Sequence, residues 1–388
     1  MPILNYEPIN PSTDVTLTKT LLHEAVPLTG AIVSGTYGTY PNGGNIKNYS
    51  HGQFQSVYDY PYLSSSANHI FDITMGYDES SVLSSSTLSR PQQTKKINMY
   101  NQFSQVLLGF TGSDNQVEIF ESDLNISDND NQMKEVFFIS MSRLLMKDQI
   151  KKGTFSISLG TGSVQKVGIA NANPFINASG TNTTMTLTDA SASADDTGTA
   201  VSNGGQYGVL YHADGTAAGT PYGVVFYQAG IIALSASIWP TGAAGAAGDN
   251  QNIFYNDATR DVASDAPNPT AASNYTVTAC MASASISGAC DAIRRRVQNI
   301  SFNNTTEINS TVYFCRVPFN KFNYSSNNTY ISGSKIRVKN FASDPPVTYI
   351  TTVGLYSATN ELLAVAKLSE PLRKSITTDM TLRVRLDY

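Results

Sequence analysis

Four histidines, three cysteines, one acidic run and one arginine triplet are the residues of this chain whose types could do chemistry. His23, His51, His69 and His212 stand in unlike contexts, with no HExxH, HxH or Cys/His spacing to hold a metal. His69, in SSSANHIFD, reads as a strand-end histidine with its hydrogen bonds satisfied. Cys280, Cys290 and Cys315 form an odd set without CxxC spacing, which predicts buried free thiols rather than a zinc site or disulfide framework. The acidic run ESDLNISDNDN (Glu121–Asn131) places Asp123, Asn125 and Ser127 at alternate positions, like the start of an EF-hand. The sharp-turn glycine and a glutamate twelve positions along are both missing. Asp128 and Asp130 are accounted for as helix caps. Arg294–Arg296 is the one basic cluster, and without interleaved aromatics it predicts a solvated strand edge or an acidic partner rather than nucleic acid. SLGTGSV (Ser158–Val164) lacks the lysine and following helix that a phosphate cradle needs, so it reads as a turn. No GxSxG elbow, P-loop or dinucleotide fingerprint occurs. The expectation is no catalytic, cofactor-binding or metal residue, and no enzyme.

Around these residues the pattern predicts an α+β chain, predominantly β, with antiparallel sheets or sandwich-like domains and two packed helices in the N-terminal half. Residues 1–60, broken by Pro2, Pro8, Pro11, Pro27 and Pro41, read as an extended arm with a turn at Thr39–Asn45. Residues 61–160 read as an α+β domain. In it, Ile70–Met75 alternate as a strand, and Met99, Phe103, Val106 and Leu107 form a helical stripe stopped by Gly109. A second helix is expected in DNDNQMKEVFFISMSRLLMKDQIKKG, capped by Asp128 or Asp130, faced by Val136, Phe137, Ser140, Met141, Leu144 and Leu145, and closed by Lys151 and Lys152. Residues 161–299 read as a β region with low-complexity insertions. Phe155, Ile157 and Leu159 alternate just before it, and YGVLYHADGTAAGTPYGVVFYQAGIIALSASIWP gives three strands with a hairpin through Ala213–Thr220. The run 177–204 is too poor in large apolar groups to make a core, which leaves ordered packing against a neighbour or solvent-exposed disorder, with disorder favoured. Residues 300–388 read as a C-terminal antiparallel domain. Strands are expected around Ile300, at Val312–Val317 and in SKIRVKNF, and PPVTYITTVGLYS pairs with NELLAVAKL across Ala358–Asn360. In the closing TLRVRLDY, Leu382, Val384 and Leu386 alternate with Arg383, Arg385 and Asp387.

The totals narrow the classes. Only 14% of the 388 residues are charged and the net charge is −5, so no global field favours nucleic acid or an acidic membrane surface. Small polar residues with 21 Tyr and 16 Phe suit pleated faces. No stretch approaches the ~18 apolar residues of a membrane span. MPILNYEPINPSTD has neither basic n-region nor apolar h-region, so no signal peptide is expected and the sequons at Asn48 and Asn177 read as incidental.

TKKINMYNQFSQVLLGF and KEVFFISMSRLLMKDQIKKGTFSISLG resemble virion structural proteins of T4-like tailed bacteriophages, particularly those of marine cyanobacteria. YGVVFYQAGIIALSASIWP and YITTVGLYSATNELLAVAKLSEPLRKS are similar to the same group. The C-terminal hairpin further resembles strand pairs of collar-fibre and baseplate-periphery proteins. The blocks cover residues 50–160, 205–240 and 310–388. The resemblance implies a structural component of the virion, in the tail, neck or collar, or baseplate periphery, made in the host cytoplasm and acting by symmetric association. A capsid-surface decoration protein and a carbohydrate-binding adhesin are the alternatives. The implied partners are copies of itself and other virion proteins, with no specific nucleic acid and no membrane, and a host glycan as a further option. The arm and the last strand are where a neighbour's sheet could be completed, unless TLRVRLDY pairs within its own domain.

Overall fold

The computed structural model describes residues 6–27, 45–85, 90–110, 116–126, 128, 130–161, 184–192, 197–213, 219–239, 277–294, 296–325, 329–333, 335–337, 339–341 and 343–388. Expectations placed on residues 39–44, 177–183 and 241–275, on the tip of the Ala213–Thr220 hairpin, and on Ser127 and Arg295 lie outside them.

The strands are β1 (Val15–Pro27), β2 (Ile46–Asn48), β3 (Gln55–Tyr58), β4 (His69–Tyr77), β5 (Glu135–Met141), β6 (Gln149–Ile150), β7 (Ser156–Gly160), β8 (Thr184–Thr188) and β9 (Thr199–Ser202). They continue as β10 (Gly205–His212), β11 (Pro221–Phe226), β12 (Ile231–Ser235), β13 (Val297–Val317), β14 (Ile331–Ser332), β15 (Lys335–Ile336), β16 (Val347–Tyr356), β17 (Leu362–Ser375) and β18 (Met380–Asp387). The helices are α1 (Arg90–Leu107), α2 (Arg143–Met146), α3 (Val277–Ser283) and α4 (Ile286–Arg294). The fold is α+β and predominantly β, with antiparallel pairing, as the sequence pattern requires. Compactness divides it into two units, His23–Thr306 and a second made of Met1–Leu22 with Glu307–Tyr388. That division differs from the four consecutive segments expected, because the N-terminal residues group with the C-terminal ones.

In the His23–Thr306 unit the strand order from one end is β13-β7-β8-β10-β11-β12-β5-β4-β3-β2. Period two explains its packing. On β5, Phe137, Ile139 and Met141 enter one core cluster, and Val136 and Phe138 enter a second. Leu210, Val225, Ile232 and Leu234 join the first, while Val209, Val224, Phe226 and Ala233 join the second. These central strands are therefore apolar on both faces. Phe138 stacks on Phe103 at 4.3 Å between ring centroids, and Phe137 meets Trp239 edge-on at 5.6 Å.

This two-sided burial corrects the expected second helix. VFFISM forms β5, paired with β4 (Tyr77 opposite Glu135, Phe71 opposite Met141) and with β12 (Ser235 opposite Val136). A continuous apolar run buried on both sides cannot be told from a helix by periodicity, and its β-branched and aromatic residues favour the strand. Only Arg143–Met146 is helical, ended by Lys147 at φ 58°. Asp128 and Asp130 cap nothing. Asp128 instead accepts bonds from the Asp130 amide and the Asn125 side chain.

The first helix forms, with Pro91 in its opening turn, where a missing N–H is harmless. Met99, Tyr100 and Leu107 are buried and Phe103 half-buried, but Val106 faces solvent. The helix lies so close to β4 that a Cβ on Gly76 would come within 2.7 Å of Lys96 O and Tyr100 N. Both are backbone atoms and cannot swing aside. Gly76→Ala is expected to destabilise the unit by about 1–3 kcal/mol through overpacking, measured by chemical denaturation.

Three more expectations are corrected. Residues 6–27, expected as an extended arm, are extended but lie along β13 of the same chain: Phe314 N donates to Asp14 O at 2.8 Å, and Glu24 N to Asn304 Oδ1 at 3.1 Å. Residues 46–58 supply β2 and β3 to the main sheet. Within 177–204 the described residues are ordered, with β8 between β7 and β10 and Leu187, Asp189 and Ala192 buried. The strands expected near Ile300 and Val312 are one strand, β13, whereas SKIRVKNF gives only the two residues of β15. Helices α3 and α4 were hidden in VTACMASASISGACDAIR. Val277, Cys280, Met281 and Ala284, then Ile286, Ala289, Cys290 and Ile293, are buried at helical spacing.

Candidate interaction surface

The residues flagged for chemistry do not converge. His23 meets Thr305 Oγ1 at 3.1 Å, His51 stacks on Tyr49, and His69 bonds Asp72 Oδ1 at 2.9 Å at the start of β4. His212 ends β10 with its Nδ1 buried. The cysteines are free; Cys280 and Cys290 are buried and Cys315 half-buried. Burial pushes the Cys280 thiol up to about 12, and Cys290 donates to Ile73 O at 3.3 Å.

The described arginines of the triplet, Arg294 and Arg296, do not line a solvated edge. Arg294 and Arg296 are buried, because Arg296 Nη1 donates to Gly160 O at 2.8 Å and that carbonyl also accepts from Trp239 Nε1 at 3.0 Å. Gly160 N returns a bond to Arg296 O. The group closes one end of β7 onto β13.

In the acidic run, Glu121, Asp123 and Asp128 bring carboxylate oxygens within 4.8 Å of one another, a different trio from the alternate positions of the sequence pattern. The loop itself uses both aspartates. Asp123 accepts from Asn125 N at 2.9 Å and Asn131 Nδ2 at 3.1 Å, and Asp128 accepts from Asn125 Nδ2 at 2.8 Å and Asp130 N at 3.0 Å. These Asx-type bonds suffice to bring the carboxylates together.

What does stand out is the unit made of Met1–Leu22 and Glu307–Tyr388. Neither core cluster contains any of its residues. Among the described residues its buried large apolar side chains are five: Val312, Val317, Ile336, Leu355 and Val384. Yet sixteen of the twenty-three exposed large hydrophobics lie in it. It is held chiefly by backbone pairing and polar ties. β18 pairs with β13 from Ser310 opposite Asp387 to Val317 opposite Met380. Arg316 Nε bonds Asp14 at 2.9 Å, Lys321 meets Glu7 at 2.6 Å, and Lys19 pairs with Glu307. TLRVRLDY thus pairs within its own chain, with Val384 buried and Arg383 and Arg385 exposed, which answers the question left open for that strand.

The apolar exposure is strongest on the β16–β17 hairpin, a sheet of two strands only. Its turn is the expected one, with Asn360 at φ 64°. Tyr356 lies opposite Leu362 and Gly354 opposite Val365, so the three side chains share a face. The Tyr356 ring folds over Gly354, where a Cβ would sit 2.9 Å from it, and Tyr6 packs against that ring at 5.2 Å. Leu362, Leu363 and Val365 remain 52, 68 and 57% exposed. Both strands are edges, and β16, VTYITTVGLY, carries no charge and no proline, the devices that ordinarily blunt an open edge. β17, by contrast, has Lys367, Glu370, Pro371 and Arg373.

Comparison with protein-family models, curated proteins and solved structures finds no match for this chain.

Proposed function

We propose that this chain is a structural component of a tailed-bacteriophage virion, in the tail, neck or baseplate periphery, and that it works by binding neighbouring subunits through its Met1–Leu22/Glu307–Tyr388 unit. The observation that carries the reading is the concentration of exposed large hydrophobics in a unit that has almost no core of its own. Soluble monomers keep contiguous apolar patches small, and larger ones mark sites of association. A two-stranded hairpin alone in water is marginal, and a neighbour's surface or strand supplies what it lacks. Repetition by symmetry multiplies a modest contact into a stable assembly. The resemblance of the KINMYNQF, KEVFFISM and ITTVGLY blocks to T4-like virion proteins supports the placement. The adhesin alternative draws less from the geometry: Tyr207 and Tyr227 are buried and Tyr211 and Tyr222 half-buried, so these tyrosines pack the sheet instead of presenting faces to a sugar.

The test is mass spectrometry of purified particles, with antibody labelling under the electron microscope. The chain is expected in intact virions at a fixed copy number, with label on the tail or neck. Its absence from particles overturns the proposal, and label on the head shell replaces the placement by the capsid-decoration alternative.

A further inference from the structure

Side chains of differing chemistry converge at one place on the main sheet, where β2, β3 and β4 lie side by side. Lys47 on β2 stands opposite Ser56 on β3, and Ser56 stands opposite Asp72 on β4, so the three share one face. Val57, Phe71 and Ile73 alternate with them and enter the core. Ser56 Oγ donates to Asp72 Oδ1, and Tyr49 Oη lies 3.1 Å from Ser56 Oγ. Because the serine proton is engaged by the carboxylate, the phenol is the donor in that second bond. His69 Nε2 meets the same Oδ1 at 2.9 Å. Among the described residues every bond to Asp72 therefore uses Oδ1. Oδ2, on a side chain 35% exposed, is open.

Rings stand before and after this polar row along β3. Before it, His51 stacks on Tyr49 with centroids 5.2 Å apart, and Phe54 tilts against both. After it, Tyr58 packs against His69 at 5.5 Å and Tyr62 at 6.4 Å. His51 and Tyr62 are exposed. Lys47 Nζ lies 4.9 Å from the Tyr49 ring centroid and has no carboxylate partner among the described residues. Ring packing accounts for each aromatic group by itself. It does not account for a cation and an anion held two strand spacings apart, about 9–10 Å, with a serine and a phenol as the floor between them.

We infer that this face binds a neutral oligosaccharide. The charges select the class. A phosphate or other anion would meet Asp72, a cation would meet Lys47, and an apolar chain would cover the serine and phenol without bonding them. A sugar ring carries hydroxyls that both donate and accept, so one donates to Asp72 Oδ2 while another accepts from Lys47 Nζ. Its C–H surface packs on the exposed ring of Tyr62 or His51, the usual pairing of aromatic walls with a few placed polar groups. These are not the tyrosines of β10 and β11, which pack the sheet, and the inference does not rest on the structural role proposed above. The face is open and shallow, so one site binds weakly, and repetition over several copies raises the strength by avidity.

The experiment applies the purified full chain, biotinylated and tetramerised on streptavidin, to an array of neutral and acidic glycans. The neutral glycan retained best is then titrated against the untetramerised protein by saturation-transfer NMR. The wild type is expected to retain at least one neutral glycan. Lys47→Ala and Tyr62→Ala are each expected to weaken that binding about tenfold or more, the loss of one charge-assisted bond or one ring contact. Tyr62→Phe, which keeps the ring, is expected to bind like wild type. Neither residue belongs to a core cluster, so the thermal transition should not move in any of these variants. Retention of no neutral glycan overturns the inference. So does retention confined to acidic glycans, or binding that survives both alanine substitutions. The readout uses the isolated protein, so it fails separately from the virion proposal.

Discussion

Asp189→Ala is expected to destabilise the His23–Thr306 unit by about 3–5 kcal/mol, enough to unfold a marginal domain. The carboxylate is fully buried and accepts three bonds, from Gly153 N and Phe155 N at 2.8 Å each and from Tyr227 Oη at 2.9 Å. Alanine orphans all three donors at once, and Tyr227 is itself completely buried, with no water to turn to. Those bonds span three separate segments, the start of β7, the end of β8 and the residue after β11, so their loss frees the sheet in its middle. Burial raises the Asp189 carboxyl above the ordinary value, against the lowering effect of its three donors. A folded-state pKa above the unfolded one gives a contribution fully present below the unfolded pKa and lost as pH rises through the folded one. The stability gap between wild type and variant should therefore be wider near about pH 4 than at neutral pH. Urea denaturation of both proteins across that range checks the magnitude and the sign. A variant as stable as wild type removes Asp189 from any structural role.

Asp189 also marks what the sequence could and could not say. It sits in TMTLTDAS, within a run dismissed as too small and polar for a core. Composition cannot announce that one carboxylate will gather three donors from elsewhere in the chain. Where a strand has one buried and one wet face the pattern is plain: β18 alternates Val384 against Arg383 and Arg385 just as TLRVRLDY suggests. β10, β11 and β12 were equally legible, because glycine- and proline-bearing turns separate their apolar runs. The signal failed where both faces are buried. VFFISM satisfies a helical stripe and a central strand alike, and only its pairing with β4 and β12 decides. It failed again at α3 and α4, where Ala, Ser, Gly and Cys look like loop composition although Val277, Met281, Ile286 and Ile293 keep helical spacing.

The surface now assigned to association was half visible. Arg294–Arg296 read as a solvated edge or an acidic partner, but Arg296 is turned into the fold to bind Gly160 O, whereas Arg383 and Arg385 lie on the exposed face of β18 that the alternation of TLRVRLDY suggests, with Arg385 bonded to Asp387 and Ser310. The pairing of ITTVGLY with ELLAVAKL was plain; that Leu362 and Val365 would stay more than half exposed among the described residues was not. A period of two identifies a stripe without saying what lies against it. That Leu362 and Val365 stand exposed among the described residues is a fact of tertiary structure alone.

Leu362→Glu with Val365→Glu is accordingly expected to weaken assembly about a hundredfold or more while leaving the subunit folded. Leu362 and Val365, 52 and 57% exposed, have about half their area left to bury, about 0.8–1.5 kcal/mol each, and a glutamate there must also shed its hydration at a further cost of at least about 1 kcal/mol. Two such losses exceed the ~2.8 kcal/mol that correspond to a factor of one hundred. The fold should tolerate the change, since both side chains are solvent-exposed and neither belongs to a core cluster. Lys367→Glu on the same strand serves as the control: it alters charge without removing apolar area, and its effect should be several-fold at most and should shrink with added salt. Two readouts separate the partners. Sedimentation of the purified protein reports contact with copies of itself, whereas incorporation into particles from a complementing gene reports contact with other virion proteins. If the double variant keeps its circular dichroism and thermal transition but is lost from particles, the hairpin face is the docking element. If it is incorporated like wild type, that face is not buried in the virion, and the exposed leucines have some other role.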